Sequence, residues 1–288
     1  MKITACITTM NRPKELGLCL DALWNSSYLP HAVVVSDNSV DPEIQRQTED
    51  VVNQYPKSIY REGPHTGVTH NRNNALRAVP PDTDRVLFLA DDICVKPDFF
   101  ECAVDYYKRI PPDVRDKIIL YGQNRDEYSP PEIGPLGVNF RGYFCEWNPK
   151  VPIVVNLYAT LFPKEFLDRE QWDEHIFLGQ EDIELSLRAL RQGYQIIYHP
   201  EMEVFDLCVK PNHGVTAFKR GPLNQYETYV AASRLYVGIK RYKHLYPDRI
   251  KLLLFQILFY SHMTIYLLRK RAIQSWPAIL KESRIKAL

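Results

Sequence analysis

Between residues 3 and 92 the chain alternates strand-length apolar runs with helical patterns, and its strands end in polar residues. Ile3 to Thr8 reads as a strand, with Thr8-Thr9 at its exit. Pro13 suits the first turn of a helix with Asn11 as a cap, and Leu16, Cys19, Leu20, Leu23 and Trp24 recur at helical spacing. His31 to Val35 forms a second strand that ends at Ser36-Asp37-Asn38-Ser39. Asp41-Pro42 starts a helix running to about Tyr55, Ser58 to Tyr60 is a short third strand, and a third helix spans roughly Thr69 to Val79. Arg85 to Leu89 is a mostly apolar run suited to a buried strand, and Asp91-Asp92 follow at its end. This βαβαβαβ order predicts an α/β fold with a mostly parallel, right-handed sheet and helices on both faces. Ligands of such sheets bind at the carboxyl ends of the strands, so three polar exits predict a site there.

Asp91-Asp92 are the most informative pair. Adjacent carboxylates repel and are costly unless water, a cation or good donors are present. A hard divalent ion holding a phosphate suits them; the plainer reading is a turn begun by Asp91 with Asp92 solvated. The chain has neither GxGxxG nor GxxxxGK[ST], so phosphate recognition has to use side chains and a metal rather than a glycine cradle. Asp37 is suited to accept from a base N–H or a ribose hydroxyl, or to form an Asx turn. Arg72, in THNRNNAL, is placed either to pair with a diphosphate or an active-site carboxylate, or to sit on the surface.

A formal net charge of +1 argues against a dedicated nucleic-acid binder, which carries a basic face. The six cysteines show no CxxC spacing; Cys6, Cys19 and Cys102 sit in apolar patterns, as buried thiols of a reducing compartment do. No signal-peptide pattern opens the sequence, and the expected location is cytoplasmic.

The segments ITTMNRPKELGLCLDALWNSS, VVVSDNS, GVTHNRNNAL, VLFLADDI and LGQEDIELSLRALRQGYQIIYHP together resemble family 2 glycosyltransferases of the GT-A fold, covering residues 3–200 with gaps. The resemblance implies a Rossmann-like, mostly parallel mixed sheet with C-terminal helices. It also implies inverting, metal-assisted sugar transfer from a nucleoside-diphosphate sugar, UDP most commonly, to a glycan or lipid-linked acceptor. Asp37 then contacts the nucleobase. The DxD-like element falls on Ala90-Asp91-Asp92, with Asp92 on Mg²⁺ or Mn²⁺; its first position is alanine here, and Asp91 takes ribose or diphosphate contacts. Thr8, Thr9, Asn11, Arg12, Asn38, Arg72 and Glu181 complete the implied nucleotide-sugar set. The family's ED element matches Glu181-Asp182, with Asp182 as catalytic base. Where the family places a histidine on the metal or diphosphate this chain has Asp206, with His199 and His213 as alternatives and Lys210 and Lys219 beside them.

Read without the resemblance, Glu181-Asp182 open a helix whose apolar stripe is Ile183, Leu187 and Leu190 and which Gly193 ends. Carboxylates in a first turn are favoured by the helix dipole, so simple N-terminal stabilisation is the competing role. Residues 121–160 are rich in Pro, Gly and aromatics and resemble a pocket wall, with Tyr128, Phe144 and Trp147 as sugar platforms or ordinary packing. Val151 to Ala159 returns to a strand pattern, and the resemblance places Asn156 to Thr160 near the donor sugar.

Pro222 to His244 reads as a tyrosine-bearing helix. Residues 251–270 then carry an apolar run bounded by Lys251 and Arg269-Lys270-Arg271, with Gln256, Ser261 and His262 inside it. The run is marginal for a span. Three readings stay open: a helix on a membrane surface or a lipid-linked, cell-envelope acceptor, core or homodimer packing, and a true span. The expected organisation is a GT-A domain over 1–220, with a nucleotide-binding half of about 1–98 and an acceptor-side half of about 99–220, and a helical extension over 221–288. The competing functions are a nucleotidyltransferase, which would want a glycine- and basic-rich loop after the first strand, and a non-catalytic nucleotide-sugar-binding protein.

Overall fold

A computed structural model describes residues 1–125, 134–155, 157–207 and 220–288. In chain order its elements begin β1 (Ile3–Thr9), α1 (Pro13–Trp24), β2 (Ala32–Asp37), α2 (Pro42–Val52), β3 (Ser58–Glu62), α3 (Val68–Leu76) and β4 (Arg85–Ala90). They continue through β5 (Ile93–Val95), α4 (Phe99–Lys108), α5 (Pro112–Arg115), β6 (Ile118–Arg125), β7 (Leu136–Val138), β8 (Phe144–Glu146) and β9 (Ile153–Val154). The last are β10 (Thr160–Pro163), α6 (Lys164–Arg169), α7 (Glu181–Arg191), β11 (Gln195–Asp206), α8 (Gln225–Lys240), α9 (Arg249–Lys270) and α10 (Trp276–Glu282). They pack as two compact units interleaved along the chain. The first comprises Met1–Gly134, Val155–Trp172 and Gly193–Val209, and the second Pro135–Val154, Asp173–Gln192 and Lys210–Leu288.

The first unit is built on an eight-stranded sheet in the order β3-β2-β1-β4-β10-β6-β11-β5. β3, β2, β1 and β4 run parallel, while β10 lies antiparallel between β4 and β6, which gives the expected Rossmann-like mixed sheet. Side chains alternate across it. Ile3, Ala5 and Ile7 of β1, with Val33, Val35, Leu87 and Leu89, share a core with Leu16 and Leu20 of α1, Val52 of α2 and Phe99, Ala103 and Tyr107 of α4. On the alternate register, Phe88 of β4 meets Trp172 edge-on at 5.1 Å, and Ser36 of β2 bonds to Asn71 and Asn74 of α3.

The second unit holds a three-stranded sheet, β8-β7-β9, and the C-terminal helices. Val138 and Val154 from this sheet pack with Ile183 and Leu187 of α7 and with Tyr236 and Val237 of α8. Gly238 of α8 lies so near α9 that an added Cβ would stand 1.9 Å from Phe255 Cζ. A buried ion network ties α7 to α8: Lys240 Nζ lies 2.6 Å from both Asp173 Oδ2 and Glu184 Oε1, and Arg188 Nε donates to Glu184 at 2.8 Å. Burial pushes the Asp173 carboxyl up, but bonds from Lys240, the His175 N–H and Tyr236 outweigh this and hold it well below the usual range.

Three expectations are corrected. Asn11 is not the cap of α1: Arg12 occupies that position with no side-chain cap bond, and Asn11, at φ 61°, donates its N–H to Ser39 Oγ. The strand expected over Val151 to Ala159 is divided, because Ile153–Val154 pairs in the small sheet, Leu157–Ala159 is a 3₁₀ turn and the main sheet gains Thr160–Pro163 instead. The tyrosine-bearing helix begins at Gln225, where Asn224 and Glu227 form a capping box, and gives way after Lys240 to a π-helical turn over Arg241–Leu245.

Candidate active site

The parallel register brings three polar strand ends to one edge. Thr9 at the end of β1 stands opposite Asp37 of β2, and Thr8 opposite Ala90 of β4. Thr9 Oγ1 donates to Asp91 Oδ2 at 2.7 Å, and the N–H of Asn38 donates to the Thr9 carbonyl at 2.9 Å. Arg12, at the start of α1, reaches across β4: its Nη1 lies 3.3 Å from Asp91 Oδ1 and 2.5 Å from Asp92 Oδ2. The two acids therefore differ. Asp91 is buried, and desolvation pushes its carboxyl up to about 6; the Thr9 hydrogen bond and Arg12 pull the other way, and the Asp92 charge adds to the rise. The Asp92 side chain keeps 16% of its surface in solvent and faces the half-exposed Arg12.

Asp37 is fully buried. Its Oδ1 accepts from the Ser39 N–H at 2.8 Å and the Ser39 hydroxyl at 2.5 Å, and Tyr60 Oη donates to Oδ2 at 3.4 Å. Burial and then the Asp37 charge raise the Tyr60 hydroxyl well above its usual value, so Tyr60 stays a donor. Gly63 closes the backbone over this corner, its N–H donating to the Asp37 carbonyl at 2.8 Å. A Cβ there would lie 2.2 Å from Asn38 Oδ1 and 2.6 Å from Asn71 Oδ1, so only glycine fits.

Arg72 is buried rather than a surface arginine; its guanidinium stacks 5.1 Å above the Trp172 ring. Trp172 is itself fixed by a reciprocal pair: Asn73 Nδ2 donates to the Trp172 carbonyl at 3.0 Å and the Trp172 N–H donates to Asn73 Oδ1 at 2.9 Å. Sequence reasoning overlooked Gly63, Asn73 and Trp172. The run THNRNNAL carried a signal for Asn73, since polar residues at that density are out of place on a helix that covers a sheet; nothing local pointed to Trp172.

Beyond these exits, Asp206 ends β11 opposite Ile93 of β5, and the N–H of Leu207 donates to the Asp92 carbonyl at 2.8 Å. Asp206 and Asp92 thus each adjoin a residue of the paired strands β11 and β5, but no cluster of three or more His, Cys, Asp or Glu forms a metal cage among the described residues. The donor chemistry still fits a hard cation: Asp92 offers partly solvated carboxylate oxygens at the strand exit, against a counter-ion, Arg12, that is itself half-exposed. His199 packs its ring 5.1 Å from that of Tyr106. Tyr128, Asn156, Lys210, His213 and Lys219 lie outside the described residues.

In the second unit, Gly179 at φ 85° and Gln180 at φ 68° turn the chain into α7. A non-glycine residue in the left-handed region is strained, and such strain gathers at functional sites. The Ser233 hydroxyl of α8 anchors the preceding Leu178 carbonyl at 2.9 Å. Glu181 is buried in the first turn, while Asp182 is half-buried, its Oδ1 accepting from the Ile183 N–H at 2.8 Å. Phe144 and Trp147 are both partly exposed on or beside β8.

A model of the family described as Glycosyl transferase family 2 matches residues 4–166, more than half of the chain. No curated protein matches it. Among solved structures, S. aureus TarS superposes with a TM-score of 0.56 and 14% identity over 92% of this chain and 44% of that one. S. aureus TarS 1-349 in complex with UDP gives 0.64 at 15% identity over 100% of this chain and 83% of that one. The same fragment in complex with UDP-GlcNAc gives 0.63 at 16% identity over 98% and 79%. The chain therefore spans less than half the length of the first of these structures, and at such identities the likeness is one of fold.

Proposed function

The chain belongs to glycosyl transferase family 2, and from that premise we propose that it transfers a sugar from a UDP-linked donor to a hydroxyl of a glycan or lipid-linked acceptor, with inversion at the anomeric carbon. The observation that carries this reading is the convergence of Thr9, Arg12, Asp37, Asp91 and Asp92 on one edge of the sheet. The fold shared with the UDP and UDP-GlcNAc complexes of S. aureus TarS supports the choice of nucleotide.

In this reading Asp37 and Asn38, held by Ser39 and Gly63, form the nucleobase and ribose wall, with Thr8, Thr9 and Asn11 along its floor. Arg72, kept planar against Trp172, supplies positive charge toward the diphosphate, and Asp91 orients the ribose or diphosphate through its tie to Thr9. Asp92 is the residue that holds Mg²⁺ or Mn²⁺, with Asp206 and His213 as further ligands; when bound, the ion neutralises charge on the departing diphosphate. Asp182, with Glu181 beside it, takes the proton of the acceptor hydroxyl. The acceptor oxygen forms its bond to the anomeric carbon as the bond to the diphosphate oxygen breaks on the opposite face. The proposed catalytic domain is 1–220, with 221–288 as an extension at the cytoplasmic face of a membrane. Supporting that placement, α9 is the one helix among the described residues long and apolar enough to cross a bilayer, and most of its apolar surface is uncovered.

A thermal-shift series with UDP-, GDP- and dTDP-sugars, each with and without Mn²⁺, tests the proposal, because selective binding raises the melting temperature. The expected result is a rise for UDP-sugars that Mn²⁺ enlarges. Equal silence from all three nucleotides would overturn it.

A further inference from the structure

Arg234 lies near the middle of α8, its guanidinium stacked 4.2 Å over the ring of Tyr143 and 5.4 Å from that of Phe259. No carboxylate forms an ion pair with it among the described residues. Two charged neighbours are of its own sign: Arg141 acts on Arg234, and His262 of α9 feels Arg234, Arg141 and Arg269 together. Partial burial is the main cause that lowers Arg234 from its usual value. Glu227 also lines the cavity beside Arg234, but it is already engaged by Lys270 and by its capping bond to Asn224. A cavity of about 290 Å³ opens beside Arg234, and a smaller one lined by Arg141, Leu258 and His262 adjoins it. A half-buried cation without a paired carboxylate leaves donors to satisfy, so this place suits an anion that arrives from outside.

The same wall is apolar. His262 shares its helix face with Leu258 four residues before and Ile265 three residues after, and both are exposed. Ile250, Leu253, Ile257 and Leu268 of α9 are each more than half exposed. A free inorganic anion would leave that surface in water, whereas an amphiphile uses the charge and the apolar face together. We propose that the Arg234 pocket between α8 and α9 binds the phosphate of an anionic phospholipid while the exposed face of α9 lies in the acyl boundary. The inference rests on the membrane placement of α9 proposed above and deepens it: the headgroup contact is a built site rather than diffuse attraction to the basic flanks. Arginine suits the task, because its fork of donors matches phosphate and its plane stacks on tyrosine.

Flotation of the full chain with vesicles of phosphatidylcholine alone, and of phosphatidylcholine mixed with phosphatidylglycerol, reads the site. A charge-assisted contact is worth about 1.5–3 kcal/mol, so Arg234→Gln weakens partition to the mixed vesicles by on the order of ten- to a hundredfold. Lys251→Gln, which removes an exposed charge and its pair with Asp248, weakens it about fivefold. Arg141→Gln and His262→Gln change exposed side chains of the same pocket, and a loss in them comparable to Arg234→Gln excludes a mere folding defect. Equal losses for Arg234→Gln and Lys251→Gln would reduce the interaction to diffuse attraction and overturn the pocket while leaving the membrane contact standing. No flotation of the parent protein with either vesicle overturns both. If inorganic phosphate raises the melting temperature through Arg234 while flotation ignores Arg234→Gln, the pocket serves a soluble anion and the lipid assignment fails.

Discussion

One guanidinium nitrogen of Arg12 stands 2.5 Å from Asp92 Oδ2, so the acid proposed to hold the metal carries a side-chain counter-ion at rest. A divalent ion on Asp92 and the Arg12 contact then compete for the same carboxylate. Arg12→Gln should tighten Mn²⁺ binding in the absence of nucleotide, measured by titration calorimetry, while lowering stability by about 1 kcal/mol or less because the pair is partly solvated. Asp92→Asn should abolish the Mn²⁺-dependent part of nucleotide binding with the fold intact. An Asp92→Asn protein that binds UDP and Mn²⁺ like the parent would remove the metal from this acid.

Asp182 separates binding from chemistry. Asp182→Asn should bind the donor like the parent yet lose transfer by about 10²–10⁴-fold, the usual worth of a general base. Steady-state kinetics with a competent acceptor decide it: a fall of less than about threefold moves the role to Glu181.

Gly63 sets the shape of the nucleobase corner. Gly63→Ala would place a Cβ 2.8 Å from the Asp37 carbonyl as well as against the Asn38 and Asn71 side chains, so the strand end must give way. The expected cost is about 1–3 kcal/mol by urea unfolding, with a weakening of UDP binding beyond that seen for alanine at an exposed loop glycine. Parent-like values in both assays would show that this corner is not packed against the backbone as described.

The Asp173–Lys240–Glu184 network makes the second unit acid-sensitive. Asp173 is held below its unfolded value, near 3.9, so the stability it contributes is present above about pH 4 and is lost as pH falls below that. Lys240→Met takes the cation from the buried Asp173, while Glu184 keeps Arg188, and should cost about 3–5 kcal/mol near neutral pH. Chemical unfolding from pH 7 down to pH 3 checks both: the parent should lose stability toward acid and Lys240→Met should lose much less. A parent curve flat over that range contradicts the network.

Much of this molecule is legible in its sequence because local periodicity and composition carry it. The apolar runs at Ile3–Thr9 and Arg85–Ala90, the Pro42 helix start capped by Asp41, the stripe of α7 ended by Gly193, and the apolar run that became α9 are all near-neighbour patterns. So is the acidic exit at Asp91-Asp92, since a strand's end marks the site of an α/β sheet whatever its partners. What only the tertiary structure decided depends on register and on residues distant along the chain. Thr9 meets Asp91 across 82 residues, and Asn73 clasps Trp172 across 99. No local pattern tells that Arg12 pairs with both acids, that Val151–Ala159 is divided between a short strand and a 3₁₀ turn, or that Arg234 is half-buried without a carboxylate partner among the described residues. A period of two or 3.6 residues assigns a side chain to a face; which other face it meets is settled only when the strands take their register and the helices close on them.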